Sequence, residues 1–180
     1  MIYVALDLSI NSTGICIADT EARTCEFVRL TPKHFVKSQL PGHKYVKSLH
    51  NAMQIANAIL QVLLPYRFQE VSVIAESVGF GYLKARTNSA TDLLFEGAIV
   101  TSKLIENICC SVNFVEPNVH KKAFTGKGNA DKLFSIKQLL HWFPQLHHCT
   151  DKLDDLADAM SIMTTAIPDI RTYMPTIRNW

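Results

Sequence analysis

The side chains in this chain best placed to do chemistry are carboxylates set at helical spacing. In Asp151-Lys152-Leu153-Asp154-Asp155-Leu156-Ala157-Asp158-Ala159, the aspartates at 151, 155 and 158 lie three and four residues apart, and so share one helix face. Like charges that close raise one another's energy unless a cation lies between them. Two further acids, Asp7 and Glu76, each end an apolar run of strand character, residues 2–6 and 71–75. Hard divalent cations such as Mg²⁺ take oxygen ligands, and a pair held about 3.5–4 Å apart can drive phosphodiester cleavage. Asp7, Glu76, Asp155 and Asp158, drawn from three elements, would serve such a pair and leave room for a phosphate. Taken singly, each acid also has a structural reading: Asp7 closes a strand, Glu76 pairs with a lysine, and the aspartates cap a helix N-terminus. Asp151 could do so in part. Two strand-terminal acids together with an acidic helix face favour the metal site.

The elements that must position these acids follow from the apolar pattern. Residues 2–6 form a continuous apolar run, as in a strand buried on both faces. Asn11-Ser12-Thr13-Gly14 is a turn signal, residues 15–18 resume the run, and 24–30 alternate, which predicts a three-strand antiparallel meander. A helix is expected over 43–64, a strand over 71–75, a helix over 89–107 and a strand over 112–115. The rest reads as helical: a short piece over 120–124, a helix over 129–142, and the acidic helix from 151 to about 166. The tail from about 168, with Arg171, Tyr173, Arg178 and Trp180, carries no clear pattern. After a helical crossover the 71–75 strand should run parallel beside the first. Asp7 and Glu76 would then meet at one sheet edge, with the acidic helix packed across it.

Composition agrees with one α/β domain spanning 1–180. A chain of 180 residues can bury a full core, and its 48% hydrophobic and 19% charged content is ordinary for a folded protein. No apolar run is long enough to span a bilayer, and the strand-like start is unlike a signal peptide. Cys16, Cys25, Cys109, Cys110 and Cys149 show no CxxC spacing and are odd in number, so reduced thiols in a cytoplasmic protein are expected.

The net charge of +2 says little, but its distribution says more. Between 117 and 142, Lys121, Lys122, Lys127, Lys132 and Lys137 face a single acid, Asp131. A polyanion held by lysines beside a metal-loaded acidic pocket needs this separation, whereas a solvated lysine face would look the same. Lys127 lies between Gly126 and Gly128, where the backbone allows close phosphate approach. Phe80, between Gly79 and Gly81, could wedge into an opened base step or fold back onto the core. Tyr82 is the second aromatic there, with Lys84 and Arg86 as further DNA contacts. His147-His148-Cys149 lacks a partner pair with zinc spacing, and His120 and His141 read as structural or surface residues.

These residues resemble a family. Asp7 in VALDLSINSTG, Glu76 in VIAES, and Asp155-Leu156-Ala157-Asp158-Ala159 are similar to the acidic tetrad of RuvC-type Holliday-junction resolvases, of the RNase H-like superfamily. GKGNADK before a helix is similar to that family's loop. The resemblance implies an RNase H-like mixed sheet flanked by helices, with the meander plus two parallel strands. It also implies a homodimer on four-way or other branched DNA, in a bacterial or phage-infected cytoplasm, with no membrane and no nucleotide cofactor. Asp7, Glu76, Asp155 and Asp158 would bind two Mg²⁺, or Mn²⁺ in their place, with Asp7 bridging. The loop and tail sequences depart from bacterial members, as in a phage or mobile-element version. RNase H proper places its glutamate on the first helix, but residues 43–66 contain no Asp or Glu. An actin-like ATPase needs two lobes, for which the chain is too short. The alternatives are a non-catalytic nucleic-acid-binding relative and a nuclease for RNA-containing or single-stranded substrates.

Overall fold

The computed structural model describes residues 1–9, 12–31, 44–77, 88–108, 110–148 and 153–178, with backbone alone for 44–47 and 88–93. Its strands are β1 (Ile2–Asp7), β2 (Thr13–Asp19), β3 (Thr24–Leu30), β4 (Val71–Glu76), β5 (Cys110–Val115) and β6 (Met174–Arg178). They form one sheet in the order β5-β4-β1-β2-β3-β6. β1 lies in the middle, antiparallel to β2 and parallel to β4, which explains its unbroken apolar run. The helices are α1 (Lys44–Leu63), α2 (Asn88–Asn107), α3 (Pro117–Thr125), α4 (Lys132–Trp142) and α5 (Leu153–Met163). The meander, the two parallel strands and the flanking helices are as the sequence predicts.

Side-chain alternation divides the core between the two faces of the sheet. Val4 and Leu6 of β1, with Ile15 and Ile17 of β2, join Ile55 and Ile59 of α1 and Leu104 of α2 in one buried cluster. Ala5, Cys16, Ala18, Cys25 and Phe27 join Phe124 of α3, Leu139 of α4 and Met160 of α5 in the other. Cys16 and Cys25 are free thiols, and burial pushes the Cys25 thiol up to about 12. No helix among the described residues is long and apolar enough to cross a membrane.

Local chemistry moves several boundaries from their expected places. α3 begins at Pro117, a residue suited to the first helical position, and ends on Gly126 in the left-handed region (φ 79°). α4 begins at Lys132 because the Asp131 carboxylate caps it, accepting from Phe134 N at 2.8 Å. α5 stops at Met163, where the Thr164 and Thr165 hydroxyls turn back onto the carbonyls of Met160 and Ile162 at 2.9 and 2.7 Å.

β6 is the element the sequence does not announce. It pairs parallel with β3 at the sheet edge, where Pro175 is tolerated. Arg178 grips Glu26 of β3 with Nε on Oε1 and Nη2 on Oε2, the latter at 2.7 Å, and Tyr66 donates to the same Oε2 at 3.1 Å. A short, largely exposed strand held by one ion pair leaves no apolar periodicity to read.

Candidate active site

Strand parity brings the acids to one face. Asp7 follows Ala5 by two residues and Glu76 follows Ile74 by two, so both point to the α5 side of the sheet. The parallel register pairs Leu6 with Ala75, which sets Asp7 and Glu76 at neighbouring C-terminal strand ends. Gly14, opposite Asp7 on β1 and Arg29 on β3, points the same way. A Cβ at Gly14 would lie 2.1 Å from the carbonyl oxygen of Asp155, so α5 can rest on β2 only over a glycine.

That close approach delivers the first turn of α5 to the strand ends. The Asp155 carboxylate accepts from Arg29 Nε at 2.8 Å and from the Ser12 hydroxyl, both on its Oδ2. Arg29 Nε is also 2.9 Å from Ser12 Oγ, which closes a three-way cluster. Asp154 turns the other way and pairs with Lys132 Nζ at 3.2 Å. Its carboxyl is held below the ordinary range: partial burial acts upward, but the Lys132 bond and charge and the backbone amides at the helix start outweigh it.

Asp7 and Asp158 feel the crowding. Burial pushes the Asp7 carboxyl well above the ordinary range, and the charges of Asp158, Glu76 and Asp155 push it further, while Lys132 pulls it down. Asp158 is raised too, chiefly by burial and then by Glu76, while Lys121, His120 and Lys132 pull it down. Glu76 is held by a residue that the sequence reading left in a structural role: buried His120 of α3, whose Nε2 is 2.8 Å from Glu76 Oε2. The arrangement thus brings together Asp7, Glu76, Asp155 and Asp158, with Arg29, Ser12 and His120 around them.

Four carboxylates and no softer donor form the set that hard divalent cations select. The upward push on Asp7 from three neighbouring acids is the repulsion that such a cation would relieve. In this geometry Oδ2 of Asp155 and Oε2 of Glu76 are turned to protein donors. Correspondingly, among the described residues no three Asp, Glu, His or Cys side chains are oriented to hold a metal ion. The donor chemistry fits, and each of these two acids keeps one oxygen clear of those bonds.

The lysines form a loose rim. Lys121 is near enough to Asp158 to lower it, and Lys132 is tied to Asp154. Lys122 is exposed on α3, and exposed Lys127 sets its ammonium 5.3 Å from the Phe134 ring centre. Phe80, Tyr82, Lys84, Arg86, Asp151 and Cys149 lie outside the described residues. His141, His147 and His148 are exposed. Arg29 and His120 are the residues that sequence reasoning missed. The signals were an arginine in strand phase with Cys25 and Phe27, and a histidine one helical turn from Phe124.

No family model matches the sequence, and no curated protein matches it. Solved structures do match its fold. RuvC of Thermus thermophilus in complex with a Holliday junction substrate is similar with a TM-score of 0.64 at 20% identity, over 94% of this chain and 95% of its own. A second structure of Thermus thermophilus RuvC gives 0.63 at 20% identity over 98% and 100%. The yeast mitochondrial Holliday junction resolvase gives 0.57 at 10% identity over 94% and 77%. The fold of this chain is that of the RuvC-type resolvases, within the RNase H-like class.

Proposed function

We propose that this protein is a divalent-metal-dependent endonuclease that resolves four-way and other branched DNA, its 180 residues forming one nuclease domain. The observation that carries the reading is the meeting of Asp7, Glu76, Asp155 and Asp158 at the C-terminal edge of β1 and β4, with Asp7 pushed upward by burial and then by the charges of the other three. Those acids are the proposed ligands for Mg²⁺, with Mn²⁺ as a substitute. When bound, such ions would supply charge stabilisation and an activated water for in-line phosphodiester hydrolysis.

The chain's own side chains divide the remaining work. Arg29 and Ser12 fix Asp155 through Oδ2, and β1 and β4 fix the spacing of Asp7 and Glu76. Lys121, Lys122, Lys127 and Lys132 flank the acids on α3, the turn after it and the start of α4, a line suited to the phosphates of one strand. Resolving a four-way junction takes two cuts, hence two copies of this single centre. The likeness to a resolvase solved with its junction supports that substrate class.

The test is a cleavage panel of four-way, three-way, flap and linear duplex DNA with an RNA–DNA hybrid, in Mg²⁺ and in EDTA. Metal-dependent nicking that favours the four-way junction is expected. Equal cleavage of the hybrid, or none of any branched DNA, would sink the assignment, and binding without cleavage would favour a non-catalytic binder.

A further inference from the structure

His120 lies on α3, fully enclosed, and its imidazole spans two other elements. Nε2 is 2.8 Å from Glu76 Oε2 on β4, and Nδ1 is 2.7 Å from Ser161 Oγ on α5. A carboxylate only accepts, so Nε2 donates to Glu76; in the neutral ring Nδ1 then accepts from the Ser161 hydroxyl. Both ring nitrogens are satisfied, which fixes the tautomer and the plane of the ring. Ser161 is itself buried and follows Asp158 by three residues, so it shares that acid's helix face. An imidazole in this place costs desolvation that a leucine would not incur, unless its two bonds are themselves needed. Packing alone does not call for a histidine here.

Glu76 is the beneficiary. Its side chain is 32% exposed and would otherwise exchange rotamers at the sheet edge. With Oε2 held, Oε1 is left clear of this bond at a defined place. We infer that His120 is a positioning residue that holds Glu76 in the orientation needed to ligate a divalent ion, with Ser161 locking the imidazole from behind. The same bonds tie α3, where Lys121 is the next residue, to the acidic centre. This rests on the metal-dependent reading of the same site.

The test is Mn²⁺ binding to the whole protein without DNA, measured by calorimetry, with melting temperature and far-ultraviolet dichroism in EDTA as controls of folding. The variants are Glu76→Gln, His120→Leu, His120→Gln and Ser161→Ala. Leucine fills much of the space without a donor, whereas glutamine carries an amide N–H toward the position of Nε2. Loss of a partner that orients a ligand weakens metal affinity by about 10–100-fold, the result expected for His120→Leu. His120→Gln should recover most of it, and Ser161→Ala should lose a smaller share. A folded His120→Leu protein that binds Mn²⁺ as tightly as wild type overturns the positioning role, while a loss in Glu76→Gln leaves the metal centre standing. If wild type binds no Mn²⁺, or Glu76→Gln binds it unchanged, both the metal centre and the positioning role fall. Should His120→Leu not fold, Ser161→Ala decides: wild-type Mn²⁺ affinity there overturns the inference.

Discussion

Beneath the start of α5, the two faces of the sheet are built from side chains of different size. Toward α1 and α2 the central strands present Ile2, Val4, Leu6, Ile15 and Ile17, each buried and each contributing about 1.5–3 kcal/mol by leaving water. Toward α5 the same strands present Ala5, Gly14, Cys16 and Ala18. Tyr3, Phe27 and Ile74 are the large strand residues of that second face, and Phe27 packs edge-on against Phe143 with ring centres 5.8 Å apart. The bulky strand residues of the first face pack against Ile55, Ile59 and Leu104 of α1 and α2. The lean face lets a helix backbone settle onto the strands, so that side chains as short as aspartate reach the strand ends. Both faces of the sheet carry a buried core, but the acidic chemistry lies on one of them only.

The largest expected effect is on activity. Asp7→Asn removes the carboxylate most crowded by its neighbours, and cleavage of a four-way junction should fall to background. The same change relieves repulsion, so in EDTA the variant should melt at or above the wild-type temperature, yet gain less from added Mg²⁺. A less stable variant with an unchanged response to Mg²⁺ would make Asp7 a strand cap.

Gly14→Ala attacks the lean face where it is thinnest. Its Cβ would meet the backbone of Asp155, at 2.1 Å from the oxygen and 2.7 Å from the carbon, so the helix must move rather than a side chain. Overpacking of this kind costs about 1–3 kcal/mol or more, and here it should also cost cleavage, because Asp155 moves with its helix. Ile17→Val on the opposite face should cost only about 0.5–1.5 kcal/mol and leave cleavage intact. Urea denaturation with parallel cleavage assays checks the pair. Equal losses of activity would erase the division between the faces.

Much of this was legible in the sequence because it is local. An apolar run ending in an acid marks a strand whose C-terminal end carries a carboxylate, and helical spacing sets Asp155 and Asp158 one turn apart. What was not legible depends on distant elements meeting. Arg29 touches Asp155 across 126 positions of chain, and His120 joins Glu76 and Ser161 across 44 and 41. Each carries only a faint local mark, a polar residue in phase with buried ones. β6 exists because Glu26 and the open edge of β3 accept it, and nothing within Met-Pro-Thr-Ile-Arg requires a strand.

Arg29→Gln sharpens the comparison at a single ion pair. Arg29 and Asp155 retain 20% and 14% of their side-chain surfaces, so the pair is shielded but not sealed. Removing the guanidinium should cost about 1–3 kcal/mol in EDTA, since Asp155 keeps its charge and loses its strongest donor. Saturating Mg²⁺ should return part of that loss. Thermal melts of both proteins across a Mg²⁺ titration test this, and an equal deficit at every concentration would show that Arg29 serves packing alone.

The smallest expected effect is a dependence of stability on pH confined to the lean face. Asp7 and Asp158 have folded-state pKa values above the ordinary 3.8, so the native protein binds their protons more tightly than the unfolded chain does. Their contribution to stability is complete below that unfolded value and is lost as pH rises through the folded values. Asp154 is lowered and acts oppositely, but its contribution is lost only as pH falls below 3.8. In EDTA the melting temperature should therefore decline as pH rises from the ordinary 3.8 through the folded values of these two carboxyls, a direction that Asp154, whose contribution is lost only on the acid side, does not share. Carboxylates must lose their protons to bind a metal, so the stabilisation given by Mg²⁺ should grow over the same interval. The difference between wild type and Asp7→Asn isolates the share of Asp7. A difference that stays constant with pH would mean that neither burial nor its acidic neighbours hold up the Asp7 carboxylate, and the crowded, enclosed site that defines this face would be absent.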